Sequence, residues 1–216
     1  MARIALIGGT GLVGGLFADR QLAAGHHVLH ALVRRPAGRR WQEHVAPPEQ
    51  WPEIARRIRG AIAISALGTT MRAAGSWPAF RAVDHDLVVA FARAAREGGA
   101  RQLILVSSVG ADPASRNTYL RIKGETEEAL GALAFDRLDV VRPGLLRGKR
   151  GGDRRLGERI GIRVSPITNL FLRGSFGPYA AIDASTVAVA MERLVGQVSP
   201  GTYVHHNADL RALARA

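Results

Sequence analysis

Apolar residues along this chain fall into short continuous runs separated by stretches of helical periodicity. Ile4-Ala5-Leu6-Ile7 breaks at Gly8, and apolar positions resume in helical register after Gly11. An unbroken apolar run of strand length, bounded by glycine, is the pattern of a strand covered on both faces. The pattern predicts strands over 3–7, 27–33, 61–66, 102–107 and 138–142. It also predicts helices over 11–24, 84–97 and 117–132 between them, the first stopped by Gly25 and the second by Gly98-Gly99. A short strand near 44–46 and a helix over 50–59 fill the poorly patterned stretch between the second and third strands. The pattern weakens over 145–180, then returns as a helix over 183–195, with Asp183 and Ser185 as candidate N-caps, and a last strand over 202–205. No internal repeat is present. Strands alternating with helices predict a doubly wound parallel α/β sheet, one Rossmann-type domain over 1–216, with an irregular substrate-side segment at 145–180.

Length agrees with that reading, since 216 residues suffice for one domain with a full core. Arg3 followed by an apolar run imitates a leader peptide, but five glycines between Gly8 and Gly15 mark the run as mature structure. No stretch reaches the ~18 uninterrupted apolar residues of a membrane span. The absence of cysteine excludes disulfides and thiolate metal sites and suits a cytoplasmic protein. A net charge of +12 raises the question of nucleic acid. The arginines are dispersed, however, and the densest basic cluster, at 147–155, has no interleaved aromatic residue on which a base could stack. Nucleic-acid binding is not expected.

The glycines after the first strand satisfy two overlapping patterns, Gly9-x-Gly11-x-x-Gly14 and Gly8-x-x-Gly11-x-x-Gly14, with Thr10, Leu12 and Val13 between them. Both have the same physical basis. A tight turn needs positive φ, a pyrophosphate must approach bare backbone, and the helix N-terminus offers free N–H groups to the anion. The end of the second strand bears on the cofactor's ribose. An acidic residue there suits NAD, whereas this chain offers Arg34 and Arg35, which suit the 2′-phosphate of NADP(H).

A second constellation follows about a hundred residues later. Lys123, one of only two lysines, stands four residues after Tyr119, so both lie on one helix face. A free phenol titrates near pH 10, and a neighbouring ammonium favours the phenolate. In a carbonyl reduction Tyr119 would donate the proton, while Ser107 or Ser108, at the end of the preceding strand, would hold the carbonyl oxygen. Strand alternation sends the two serines to opposite faces.

Taken together, Gly8-Gly9-Thr10-Gly11-Leu12-Val13-Gly14, Ala66-Leu67-Gly68-Thr69-Thr70, Ser107-Ser108-Val109-Gly110-Ala111-Asp112 and Tyr119-Leu120-x-x-Lys123-Gly124-Glu125 resemble the atypical short-chain dehydrogenase/reductase family. Val83-Asp84-x-Asp86 and Val141-Arg142-Pro143-Gly144 belong to the same likeness, which is greatest to the Tat-interacting-protein oxidoreductase branch. The resemblance implies that Leu67, Gly68 and Thr69 line the adenosine and pyrophosphate side of a cofactor, that Pro143, Gly144 and Leu145 pass near the nicotinamide, and that Lys123 also bonds its ribose. The asparagine that better-studied branches add as a fourth catalytic residue has no evident counterpart.

The remaining candidates read as structure. His26-His27 and His205-His206 are adjacent pairs, which do not converge on one ion from a regular element, so no metal is expected. Asp84 and Asp86 read as the acidic start of a helix. Trp41, Trp51 and Trp77 read as packing between helices and sheet, and Phe171, Leu172, Phe176 and Tyr179 as core before pocket. The expected function is NADPH-dependent reduction of a small carbonyl compound. The alternative is an NADPH-sensing regulator without turnover.

Overall fold

A computed structural model describes residues 2–148 and 180–216. Seven parallel strands form the main sheet: β1 (Ala2–Ile7), β2 (His27–Val33), β3 (Gln42–Val45), β4 (Ile62–Ser65), β5 (Gln102–Val106), β6 (Arg137–Val141) and β9 (Gly201–His205). Their order is β3-β2-β1-β4-β5-β6-β9, so the winding reverses between β1 and β4. That reversal opens a crevice at the carboxyl ends of the strands.

The unbroken apolar runs have the expected cause, since both faces of the sheet are covered. Ile4, Leu6, Ile62, Ile64 and Ile104 face one core, together with Val13 and Phe17 of α1 (Leu12–Ala24) and Val187 and Met191 of α7 (Ala184–Leu194). Ala5, Ile7, Ala63, Leu103 and Leu105 face the other. They pack there on Trp51 and Ala55 of α2 (Trp51–Arg57), Val88 and Phe91 of α5 (Leu87–Glu97), and Leu130 of α6 (Thr118–Gly131). Period-two alternation within each strand sorts these residues between the two layers.

Several elements differ from the sequence reading. The helix expected to begin at Asp84 starts earlier. After α3 (Met71–Ala74), α4 (Trp77–Arg81) passes through a π-helical turn, Ala82–Asp86, directly into α5. Ser76 caps α4 by accepting from Ala79 N–H at 3.3 Å. Two-residue strands β7 (Leu146–Arg147) and β8 (Ile182–Asp183) pair in parallel, and α8 (Asn207–Leu213) follows β9. Its start is held by Asp209, whose Oδ2 accepts from His206 N–H at 2.9 Å. Asp183 precedes α7 as its N-cap but makes no side-chain cap bond, and Ser185 lies inside the helix. Trp41 and Trp51 are buried as expected. Trp77 is not; it is 40% exposed. The four aromatic and apolar residues singled out at 171–179 lie outside the described residues.

Candidate functional site

Five of the predicted segments gather at one edge of the sheet, because each follows the carboxyl end of a parallel strand. The glycine turn follows β1, Arg34-Arg35 follow β2, Leu67-Gly68-Thr69 follow β4, Ser107-Ser108 follow β5, and Pro143-Gly144-Leu145 follow β6.

The glycine turn is built as its sequence requires. Gly8 has φ +84°, and Gly11 N–H bonds its carbonyl at 2.9 Å. A Cβ on Gly8 would overlap the Ala66 carbonyl, and one on Gly14 would overlap the Gly8 carbonyl. The turn is therefore wedged between the end of β4 and the first turn of α1. Gly11 is the N-cap of α1 and supplies no side-chain cap, so the first N–H groups of the helix have no side chain across them. This bare cradle at a helix start fits a pyrophosphate.

Beside it, Arg34 and Arg35 are exposed and have no ion pair or side-chain hydrogen bond among the described residues. The carboxylate of Glu43, on the neighbouring strand β3, is occupied otherwise. Glu43 accepts from Ala37 N–H, Arg39 N–H and Trp41 Nε1, each at 3.1 Å, and these bonds hold its carboxyl below the usual carboxylate range. Arg39 is spent on Asp19, at 2.7 and 2.9 Å.

The helix carrying the proposed acid/base pair is set by Asn117, whose Oδ1 accepts from Tyr119 N–H at 3.0 Å and Leu120 N–H at 3.3 Å. Gly124 lets α6 press on the loop after β5, since a Cβ there would overlap the Asp112–Pro113 backbone. Tyr119 is half-buried, its ring 5.6 Å from that of Phe80. Lys123 is 4% exposed, and the group on its ammonium is the carboxylate of Asp84, with Nζ 3.4 Å from Oδ1. The other oxygen, Oδ2, accepts from Thr69 N–H at 2.8 Å, and the Asp84 carbonyl accepts from Thr126 Oγ1 at 3.2 Å. Asp84 is therefore not the acidic start of a helix. It is 2% exposed within the π-helical turn, aimed inward at the site. Burial raises its pKa, opposed by the Lys123 ammonium and the Thr69 N–H. Asp86 is exposed and pairs with His85 at 2.7 Å. Sequence reasoning missed Asp84 as a site residue, because the acidic start of a helix and a buried carboxylate facing α6 look alike in sequence.

The two serines, expected to diverge by strand alternation, both lie past the end of β5 and differ in their partners. Ser107 is buried, and its hydroxyl donates to Glu127, a carboxylate that Arg142 also grips through Nε at 3.1 Å and through Nη2. Tyr119, Lys123 and Glu127 recur every four residues and so form one stripe along α6. Ser108 is half-buried, and its hydroxyl reaches only the Val109 carbonyl, at 3.2 Å. The segment after β6 is held from the far end of the chain. Gly144 N–H donates to Asn207 Oδ1 at 3.0 Å, and Asn207 Nδ2 donates to the Ala180 carbonyl at 2.6 Å.

A model of the NAD(P)H-binding family matches residues 8–164, which contain all five of these segments. The chain belongs to the NAD(P)H-binding family. Curated relatives of the chain include the protein FMP52, mitochondrial, of Coccidioides immitis. It is 36% identical over 180 residues, covering 75% of this chain and 73% of the relative. The protein of the same name from Saccharomyces cerevisiae is 36% identical over 162 residues, covering 70% and 69%. Among solved structures, an NAD-dependent epimerase/dehydratase assignment from Bacillus halodurans superposes with a TM-score of 0.71 at 20% identity, covering 100% of this chain and 99% of the other. MoeE5 in complex with UDP-glucose and NAD gives 0.71 at 12% identity, covering 94% and 75%. At such identities the structures show a shared Rossmann-like fold. The relatives' names correct one expectation: they are mitochondrial proteins, and a cysteine-free composition was no guide to a cytoplasmic location.

Among the described residues, no three His, Asp or Glu side chains are arranged to hold a metal ion, and no helix is long and apolar enough to cross a membrane. The histidines are not all surface groups, however. His30 and His44 stack across β2 and β3 with ring centroids 5.3 Å apart and Nδ1 to Nε2 at 3.0 Å.

Proposed function

We propose that this member of the NAD(P)H-binding family is an NADPH-dependent reductase of small carbonyl compounds, with Tyr119 as proton donor. The observation that carries the reading is Asp84. One buried carboxylate holds both Lys123 of the acid/base stripe and Thr69 of the loop facing the cofactor cradle. Proton chemistry and cofactor site are thereby built as one unit.

NADPH bound here would supply hydride to the carbonyl carbon. The glycine turn and the open start of α1 would hold its pyrophosphate, with Gly8, Thr10, Gly11, Leu12, Val13 and Gly14 forming the cradle. Leu67, Gly68 and Thr69 would flank it, and Pro143, Gly144 and Leu145 would border the nicotinamide. Arg34 and Arg35, exposed and unpaired among the described residues, would take the 2′-phosphate. Lys123 has three donors and makes one 3.4 Å bond, which leaves N–H groups for ribose hydroxyls and for the Tyr119 oxygen. Of the two serines, Ser108 is the one with a hydroxyl to spare for the carbonyl oxygen, while Ser107 fixes Glu127 and Arg142. The relatives' names support a mitochondrial compartment for this activity.

Fluorescence titration tests the cofactor assignment. NADPH should bind the wild-type chain, and Arg34→Ser with Arg35→Ser should weaken NADPH at least about tenfold while leaving NADH unchanged, because charge-assisted hydrogen bonds to the 2′-phosphate are lost. A panel of aldehydes and ketones then tests turnover. Full activity in Tyr119→Phe would refute the mechanism.

One observation favours a second reading, an NADPH-sensing regulator. The Asp84 carboxylate neutralises the ammonium that the Tyr119 phenol needs. NADPH binding that alters association with another protein, without consumption across the whole panel, would support it.

A further inference from the structure

The fold leaves an aromatic ring open beside the proposed proton donor. Trp77 is 40% exposed, where the sequence pattern predicts packing between helix and sheet. A single open apolar side chain needs no explanation by itself. Trp77 differs in what stands behind it. Phe80, one turn further along α4, is fully buried. Its ring meets that of Trp77 edge to face at 5.8 Å and lies 5.6 Å from that of Tyr119. Trp77 and Tyr119 therefore back onto the same buried ring. Phe80 has no surface to offer a ligand; the open faces belong to Trp77 and to half-buried Tyr119.

The rings are held in place. Trp77 is the first residue of α4, which Ser76 caps and Pro78 stiffens. Arg81 clamps α4 to α6, its Nη1 donating to the Glu125 carboxylate. Arg121 Nε stands 3.7 Å from the same carboxylate, and Arg81 Nε stands 3.8 Å from that of Asp86. Two arginines and two carboxylates thus offset one another on these helices, which suits an uncharged group over the rings. An indole already ordered by its neighbours covers a flat group at little further cost in side-chain entropy.

Resting on the reductase reading of this same site, we propose that its substrates are uncharged aryl ketones or aldehydes, with the carbonyl at Tyr119 and the aryl ring on the open face of Trp77. A ketone is reduced to its secondary alcohol, with the hydride taken from NADPH onto carbon and the proton from Tyr119 onto oxygen. Trp77 takes no part in that chemistry. It sets specificity, and Phe80 fixes its place relative to Tyr119.

The probes are 2-acetonaphthone and decan-2-one, apolar ketones of comparable size that differ in having a flat aryl face. With NADP+ present, so that no reduction occurs, each is titrated into the full-length chain while the indole N–H resonances are followed. That of Trp77 is the one missing in Trp77→Phe. The naphthyl ketone should shift it and leave the resonances of buried Trp41 and Trp51 in place. With NADPH, kcat/KM should favour the naphthyl ketone by about fivefold or more, since an aromatic contact adds to what buried area alone supplies. Trp77→Leu should erase that preference, chiefly through KM, and leave decan-2-one largely unchanged; Trp77→Phe should keep most of it. Impaired folding would lower both ketones alike and cannot imitate a change in their ratio.

The outcomes separate the aryl assignment from the reading beneath it. Reduction of both ketones with equal kcat/KM, or a preference that Trp77→Leu leaves untouched, overturns the aryl assignment and keeps the reductase. Binding at Trp77 with no reduction of either ketone refutes the reductase and keeps the aryl platform. A Trp77 resonance that the naphthyl ketone does not move at about 1 mM overturns the assignment as well. So would dimers that Trp77→Leu converts to monomers, because the ring would then be a contact between copies of the chain.

Discussion

Asp84 and Lys123 form a buried ion pair between two elements 39 residues apart, with Nζ 3.4 Å from Oδ1 and both side chains within 5% of full burial. A pair this dry stands or falls together. Each charge has lost its water, and the loss of either leaves the other uncompensated. Asp84→Ala should therefore cost about 3–5 kcal/mol in urea unfolding, as expected for stranding a buried charge. Replacing both residues, with Asp84→Leu and Lys123→Met, should recover most of that loss. A double variant as unstable as the sum of its parts would show that the two residues are not coupled.

The serines offer a cleaner separation of structure from chemistry. Ser107→Ala removes one bond from a Glu127 carboxylate that Arg142 still holds, so it should cost stability of about 1 kcal/mol and leave catalysis largely intact. Ser108→Ala should do the reverse: the melting temperature holds, while turnover of a reducible carbonyl falls by about 10²-fold or more. The measurement is kcat beside a thermal melt for each variant. Equal kcat losses for both would mean that Ser107 leaves Glu127 during the reaction.

Which parts of this site were legible in the sequence follows from how far apart the interacting residues lie. The glycine turn and the Tyr119–Lys123 register are local, set by spacing within one strand-turn-helix or one helix, and they appear where the pattern put them. The position of Arg34 and Arg35 was legible because strand β2 ends visibly at Val33. Asp84 was not, because a helical acidic residue looks alike whether it faces water or α6. Only the π-helical turn, which shifts the register between α4 and α5, brings it inward. Ser107 and Ser108 could not be told apart until Glu127, twenty residues on, showed which hydroxyl was taken. Asn207 was invisible for the same reason. Bonds from its amide tie Gly144 to Ala180, and neither neighbour is close to it in sequence.

Gly14 gives a test that does not depend on substrate. A methyl group there would strike the Gly8 carbonyl and press on Ala66 Cβ, and backbone on that side cannot swing away as a side-chain tip can. Gly14→Ala should push the turn off the end of β4 and weaken NADPH at least about tenfold, the cost of losing one charge-assisted bond to a phosphate. Gly25→Ala is the matched control. Its φ is +66°, so it carries backbone strain, but no atom lies within 4 Å of its Cβ direction and it is at the far end of α1. It should lower stability by about 1 kcal/mol and leave cofactor affinity alone.

The stacked imidazoles of His30 and His44 make stability depend on pH at the other flank of the sheet. Burial lowers the pKa of both, helped at His30 by His44 and Arg3. A base with a lowered folded pKa takes up its proton in the unfolded chain first. Stability is then fully present above the unfolded value of 6.5 and is lost as pH falls from there through the folded values. Asp139 acts in a separate, lower window. Burial alone would raise its pKa, but hydrogen bonds from His205, Arg137 and Gln102 outweigh that and hold it below 3.8. Its contribution is present above pH 3.8 and disappears as pH falls through its folded value. Urea unfolding as a function of pH should therefore show two successive losses on acidification. His44→Gln should flatten the first, the loss that sets in below pH 6.5, without touching the second. Asp139→Asn should flatten the second and leave the first. A first loss that survives His44→Gln unchanged would assign it to other histidines, with His27 the next to replace, since burial lowers its pKa as well.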